Sequence, residues 1–278
     1  MKFKSCILFS VLFCQFSFAE NDNQWRSLFN GEDLKGWQKY VSFQPESNKH
    51  NLKSIHTPRG VNNDPKQVFS VIDGLIRISG EEWGAITTEA EFANFHLKFD
   101  IKWGKKKWFP RQDVVRDSGI LYYAVGPHGA QSEHWMRSHE FQLQEGDSGD
   151  YHSLDGAVID VKSGEAQQGN WKFYRYDPTL PLRKNISSRV LKQGLHENPS
   201  GEWDTMEIIA DADTLIHIVN GHEVFRASNS RQKVDGKFTK LDKGKIQIQS
   251  EGAEVFYRNI LIRTLDTPAS TYATSVTH

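Results

Sequence analysis

The chain has 278 residues, 12% of them aromatic and 25% charged, with a formal net charge of −1. That near-neutral balance, without any Lys/Arg stripe, excludes nucleic acid as the expected partner. Both cysteines, Cys6 and Cys14, fall within the first nineteen residues, so the rest of the chain must rely on a buried core and not on disulfides, which its length permits.

Residues 1–19 read as an export signal. Lys2 and Lys4 form a basic start, Ile7 to Phe13 an apolar run, and Ser17-Phe18-Ala19 a small-x-small cleavage site. The apolar run is too short to span a bilayer, so no membrane span is expected, and the mature protein is placed in the periplasm or outside the cell. Cleavage after Ala19 leaves 278 − 19 = 259 residues and a charge of −1 − 2 = −3. Without internal repeat or linker, residues 20–265 are expected to form one domain. The polar end, 266–278, reads as a loose tail. Asn185-Ile186-Ser187 fits a glycosylation sequon.

Beyond the signal, the apolar pattern alternates with period two. Val68 to Val71 and Leu75 to Ile78 flank Asp73-Gly74, and Leu215 to Val219 and Glu223 to Phe225 flank Asn220-Gly221; both read as hairpins. Thr88 is a possible cap for a short helical turn over Glu89 to Ala93. Phe95, Leu97, Phe99, Ile101 and Trp103 alternate with His96, Lys98, Asp100 and Lys102, the mark of a half-buried strand. Around 171–200, Pro178, Pro181 and Pro199 and the lack of periodicity predict a long loop, a lid or wall over one face. Lys245 to Ser250 and Glu254 to Ile262 are strands joined through Glu251-Gly252. Many short strands and scarcely any helix predict an all-β, two-sheet antiparallel sandwich.

His139 to Glu145 reads HEFQLQE, and as E-x-Q-x-x-E it is one letter from the E-x-D-x-x-E pattern of laminarinase and lichenase-type glucanases. In a strand, Phe141 and Leu143 face the core, so Glu140, Gln142 and Gln144 share the opposite face. Glu145 joins them only if a bulge follows Leu143. A retaining glycosidase needs two carboxyls about 5–5.5 Å apart, and Gln142 lacks the charge that the glucanase pattern places beside its nucleophile. Gln249 and Glu251 share one face of the closing strand, and Lys98 and Tyr123 are further candidates for the polar face. Trp171 and Trp108 lie where a ring can stack on a sugar, whereas Trp37 and Trp203 read as packing residues. His134, His139 and His152 flank the central strand; the first two read as ordinary hydrogen-bonding residues.

Several stretches then point to one family. Leu28 to Trp37 (LFNGEDLKGW), Asp117 to Tyr123 (DSGILYY), Glu140 to Leu143 (EFQL), Gly201 to Asp204 (GEWD) and the two closing strands occur in the order seen in the 3-keto-disaccharide hydrolase domain family, which the chain resembles from Leu28 to Ile262. It departs at Tyr123, where the family often has Arg, at Gln144, where Asp is usual, and in the segment from Trp171 to Pro199. The resemblance implies a concanavalin-like jelly roll and cleavage of glycosides already oxidised at C3. A ketone there acidifies the C2 proton, so one base can remove it and the C1 group leaves by β-elimination; water can add later. The protein must supply a base, an enolate stabiliser and an acid for the departing oxygen. Glu140 or Glu145 is expected as base, with His152 as an alternative base or as a metal ligand beside Glu145 or Asp147. Gln142 and Gln144 suit sugar hydroxyls or the enolate. A divalent metal is compatible with this chemistry and no organic cofactor is expected; the carbohydrate substrate would come from a sugar 3-dehydrogenase. A non-catalytic carbohydrate-binding module and an ordinary retaining glucanase are the competing readings.

Overall fold

The structure is a computed structural model that describes residues 24–43, 57–211 and 213–272. The expected export signal lies outside these residues, as do the last six of the tail. Asp73 and Gly74 sit at φ 51° and 74°, and Asn220 and Gly221 at 48° and 81°, the left-handed pairs that a two-residue hairpin turn requires. They close the hairpins Phe69–Ile72 with Leu75–Ile78 and Thr214–Val219 with His222–Val234.

The chain folds as an all-β jelly-roll sandwich. Its back sheet runs Phe69–Ile72, Leu75–Ile78, Ala253–Thr264, Phe95–Lys107, Asp204–Ala210, Thr214–Val219 and His222–Val234, all antiparallel. Its front sheet runs Trp37–Val41, Gly84–Thr88, Lys245–Ser250, Asp117–Val125, Arg137–Gln144 and Tyr151–Leu154. Val190–Leu191 and then Trp171–Tyr176 extend the front sheet, the last pairing being parallel. The strand Ala157–Gln168 belongs to both layers: its first half pairs with His222–Val234, its second with Trp171–Tyr176. Lys245–Ser250 and Ala253–Thr264 lie in different sheets, so Glu251-Gly252 carries the chain from front to back.

Aromatic rings fill the space between the sheets. Phe99 meets Phe141 with centroids 6.1 Å apart, and Tyr151 stacks on Phe225 at 5.3 Å. Polar rungs cross the same core. His217 Nδ1 donates to the Gly149 carbonyl (2.9 Å), which leaves Nε2 to accept from the Tyr122 hydroxyl (2.9 Å). The Ser230 hydroxyl donates to the Leu241 carbonyl, so His139 Nε2 donates to Ser230 (2.6 Å) and Nδ1 accepts from Tyr151 (2.9 Å). Burial pushes both imidazoles down to about 3. They are neutral framework groups whose hydrogen bonds offset the cost of burying them.

Three local expectations give way. The Thr88 hydroxyl donates to the Ala90 carbonyl (2.8 Å) and closes a bend, not a helix. The segment around 171–200 is loop only in part: Trp171–Tyr176, Leu182–Ile186 and Val190–Leu191 are strands that continue the two sheets, and 192–199 stays irregular. The tail is held as far as Tyr272, with the Ala269 N–H donating to Asp211 (2.7 Å). Ala269 and Tyr272 cover Ile209, Ile216 and Ile218 on the outside of the back sheet.

Phe141 is fully buried, and Phe141→Ala is expected to cost about 3–5 kcal/mol, measurable as a lower urea midpoint; a loss under about 1 kcal/mol would mean that the two sheets do not close on this ring.

Candidate functional site

Strand alternation sorts HEFQLQE as its sequence demands. His139, Phe141 and Leu143 enter the core, while Glu140, Gln142 and Gln144 line a cleft of about 300 Å³ on the front sheet, the lower end of the range for ligand pockets. From the flanking strands, Asp117, Gln249 and His152 reach the same cleft, and Glu251, Trp135, Arg111 and Arg189 enter from the segments between strands.

Asp117 anchors the cluster. Gln142 and Gln144 each donate an amide N–H to it at 2.8 Å, and Arg111 pairs with it. The same Arg111 donates to Glu251 at 2.7 Å. Burial pushes the Asp117 and Glu251 carboxyls up, and Arg111 pulls both back. Arg189 donates to Asp147 at 2.8 Å and to Asp150 at 2.6 Å.

Glu140 has no such support. Its Oε1 is buried without a hydrogen-bond partner among the described residues, as are both amide atoms of Gln249, His152 Nε2 and Arg111 Nε. Burial, then the negative charges of Glu251 and Asp117, hold its carboxyl well above the ordinary range. Gln249 pulls weakly the other way, although no hydrogen bond of ordinary geometry joins the two. Both side chains crowd over Gly119, where an added Cβ would collide with Glu140 Oε1 and Gln249 Oε1. Glycine is needed there for that close approach. His152 lies directly opposite Glu140 in the ladder, and burial and Arg189 push its imidazole down to about 3. Neighbouring orphaned polar atoms on one cleft floor mark a place that another molecule completes.

The structure thus brings together Glu140, Gln142, Gln144, His152, Gln249 and Glu251, and leaves out four expected residues. Asp117 pairs with Gln144 without a bulge after Leu143, so Glu145 turns away. Arg116 holds it through Nη1 and its backbone N–H (2.7 and 2.8 Å), and Ser200 donates to it at 2.6 Å. Burial raises the Glu145 carboxyl, but these donors outweigh it and leave it lowered. Tyr123 enters the core beside Phe95 (5.5 Å), because a register shift follows Tyr122 and its φ of 53° turns the side chain inward. Lys98 stands on the outside of the back sheet, 3.9 Å from Glu207. Trp171 is 71% exposed at a hairpin end, beyond the cleft.

Among the described residues, no three His, Cys, Asp or Glu side chains are grouped to hold a metal ion. Glu145 and Asp147, the expected co-ligands of His152, are each taken by an arginine. His134 accepts or donates to Ser42 (2.8 Å) among aromatic rings, and Trp108 donates to the Ser79 carbonyl at 3.0 Å. Trp37 packs in the core, and Trp203 lies between Lys102 and Arg258. Of the residues that sequence reasoning missed, Asp117 shares its strand face with Gly119 and so was within reach of alternation. Arg111, Arg189 and Trp135 come from segments without periodicity.

This polar cleft on a jelly roll belongs to a carbohydrate-active protein. The chain is a member of the 3-keto-alpha-glucoside-1,2-lyase-like domain family, whose profile matches residues 24–263, the family that the motifs resemble. No curated protein sequence matches the chain. Among solved structures it is similar to a "putative glycosyl hydrolase" from Parabacteroides distasonis ATCC 8503, with 20% identity, a TM-score of 0.47, and coverage of 87% of this chain and 94% of that one. It is also similar to a Bacillus licheniformis beta-glucanase (10% identity, TM-score 0.41, coverage 87% and 98%). A third likeness is to the carbohydrate binding module CBM66 of Bacillus subtilis (10% identity, TM-score 0.40, coverage 82% and 96%). Among the described residues, no helix is long and apolar enough to cross a membrane.

The raised Glu140 carboxyl fixes a sign for stability. Between its unfolded value, about 4.3, and its higher folded value, the folded state binds the extra proton, so stability falls as pH rises through that window. Glu140→Gln removes this loss. Its melting temperature is expected to exceed that of the wild type at pH 8, by about 2–4 °C per kcal/mol in a domain of this size, with the difference shrinking toward pH 4. Parallel stability curves for the two proteins would show that Glu140 does not carry the proton.

Proposed function

We propose that the protein cleaves glycosides already oxidised at C3, by elimination across C1 and C2, with Glu140 as the proton-transfer group. One observation carries the reading: a buried carboxyl with raised proton affinity and no counter-ion, set among unpartnered donors and acceptors in a cleft. Family membership supports it.

In this scheme the Glu140 carboxylate takes the C2 proton, and the C2–H electron pair forms an enolate with the C3 ketone. A raised carboxyl is a stronger base than an ordinary one, as removal of a C–H proton requires. The Gln249 amide and Arg111 Nε, both without a partner among the described residues, offer N–H donors to the enolate oxygen. The enolate then collapses, the C1–O bond breaks with its pair on oxygen, and protonated Glu140 returns its proton to that oxygen. The products are an unsaturated keto sugar and a free hydroxyl compound, and later addition of water to the double bond gives net hydrolysis. Gln142 and Gln144 use their N–H groups on Asp117, and their amide oxygens accept from sugar hydroxyls. His152, neutral at working pH, is a hydrogen-bonding partner and not the base.

The signal-like start, Lys2 to Ala19, supports export to the periplasm or beyond. The substrate chemistry requires a prior oxidation at C3, of the kind a sugar 3-dehydrogenase performs.

A 3-keto-disaccharide is expected to be cleaved while its unoxidised parent is not, and Glu140→Gln is expected to lower kcat/KM by about 10²–10⁴-fold without loss of folding. Cleavage of the unoxidised sugar would point to an ordinary glycosidase; binding without turnover would point to a non-catalytic carbohydrate module. In wild type, kcat/KM is expected to rise with pH on an acid limb displaced above the ordinary carboxylate range. A limb centred near 4 would remove Glu140 as the base.

A further inference from the structure

The front sheet places side chains in a line that runs past the cleft. Glu140 stands opposite His152, and Tyr151 opposite Val190. In antiparallel pairing that sets Arg189 beside His152. Tyr174 pairs in parallel with Val190, which sets Phe173 beside Arg189, and the Arg189 guanidinium lies over the Phe173 ring at 5.6 Å. Glu140, His152, Arg189 and Phe173 therefore form one transverse row. At about 4.8 Å per strand, the row carries roughly 14 Å from Glu140 to Phe173.

Trp171 continues this surface. On its strand, Tyr174 and Tyr176 pack against the core, so Trp171 and Phe173 point to the opposite, cleft-bearing face. Trp171 is 71% exposed. The hollow of about 380 Å³ against this hairpin is lined mainly by Glu165, Gln167, Lys172 and Tyr174, on the opposite face, and forms no part of this surface.

We propose that Phe173 and Trp171 form a distal subsite that stacks a further neutral sugar ring of the leaving group, so that the preferred substrate is a 3-keto-oligosaccharide longer than a disaccharide. The proposal rests on the cleavage reading for its orientation. Its occupant follows from continuity with the cleft, and from Arg189, whose charge is already matched by Asp147 and Asp150 and so does not call for an anionic ligand.

The test uses full-length protein and 3-keto-gluco-oligosaccharides of two to five units, α- and β-linked, with the ketone on the non-reducing ring. Wild type is expected to favour the longer chains in kcat/KM, and Trp171→Ala or Phe173→Ala to reduce that preference about two- to tenfold, the range of one aromatic stack, with the disaccharide value unchanged in Trp171→Ala. An unaltered preference in both variants overturns the subsite, as does a stronger preference for a 3-keto aryl glycoside. If no oligosaccharide is cleaved, the cleavage reading fails, and calorimetric titration of the same chains decides the subsite alone. A Kd that tightens with length in wild type but not in either variant supports it; equal length dependence in all three proteins overturns it.

Discussion

Arg111 is shared by Asp117 and Glu251, and Arg189 by Asp147 and Asp150, so neither guanidinium has charge left for a fifth carboxylate. Glu140 is that carboxylate, buried a few side chains away. Burial raises the Asp117, Glu251 and Glu140 carboxyls alike, and the paired arginine reverses this only in part for Asp117 and Glu251; Glu140 has the burial and two negative neighbours without a paired arginine. The contrast with Glu145 is direct. Five residues along the same stretch, Glu145 receives three donors and is held below its ordinary value. Two glutamates of one motif thus shift in opposite directions, Glu140 through burial and negative neighbours and Glu145 through the donors that hold it.

The fold keeps this costly arrangement in place. Phe141 and Leu143 fix the central strand from below, and every front-sheet neighbour is pinned by the same alternation. Gly119 admits the Glu140 and Gln249 side chains to a space that any Cβ would fill. Beneath them, His139 and His217 satisfy Tyr151 and Tyr122 as neutral imidazoles. These two core imidazoles are therefore matched, whereas Glu140, Gln249, His152 and Arg111 on the cleft floor each hold a buried polar atom without a partner among the described residues. Unmatched groups cost stability, and their clustering at one place suits a site that a ligand completes.

Alternation made the sheets, both Asx-Gly turns and the polar face of HEFQLQE legible in the sequence. What it could not convey were breaks in alternation and contacts between distant segments. Tyr123 follows Tyr122 into the core because of a left-handed residue and a register shift, and no letter in DSGILYY announces either. Glu145 needed a bulge that the ladder does not contain. Arg111 meets Glu251 across 140 residues and Arg189 meets Asp150 across 39, from segments whose composition marks them only as irregular. The prolines of the 171–200 region suggested a loop, yet Pro178 and Pro181 fall between its strands and Pro199 after them, where proline removes no ladder bond.

That region also governs what the cleft can become. The strand Ala157–Gln168 leaves the back sheet midway and enters the front one, and it takes Trp171–Tyr176 with it. Without that transfer the front sheet would end near Tyr151–Leu154, leaving His152 at an open edge and Arg189 without its platform on Phe173. Pairing Val190–Leu191 between the two strands instead sets His152, half-buried, in the middle of a wider face. The low proton affinity of its ring follows from that burial and from Arg189. One change of partner by one strand therefore sets both the reach of the surface and the charge state of a residue beside Glu140.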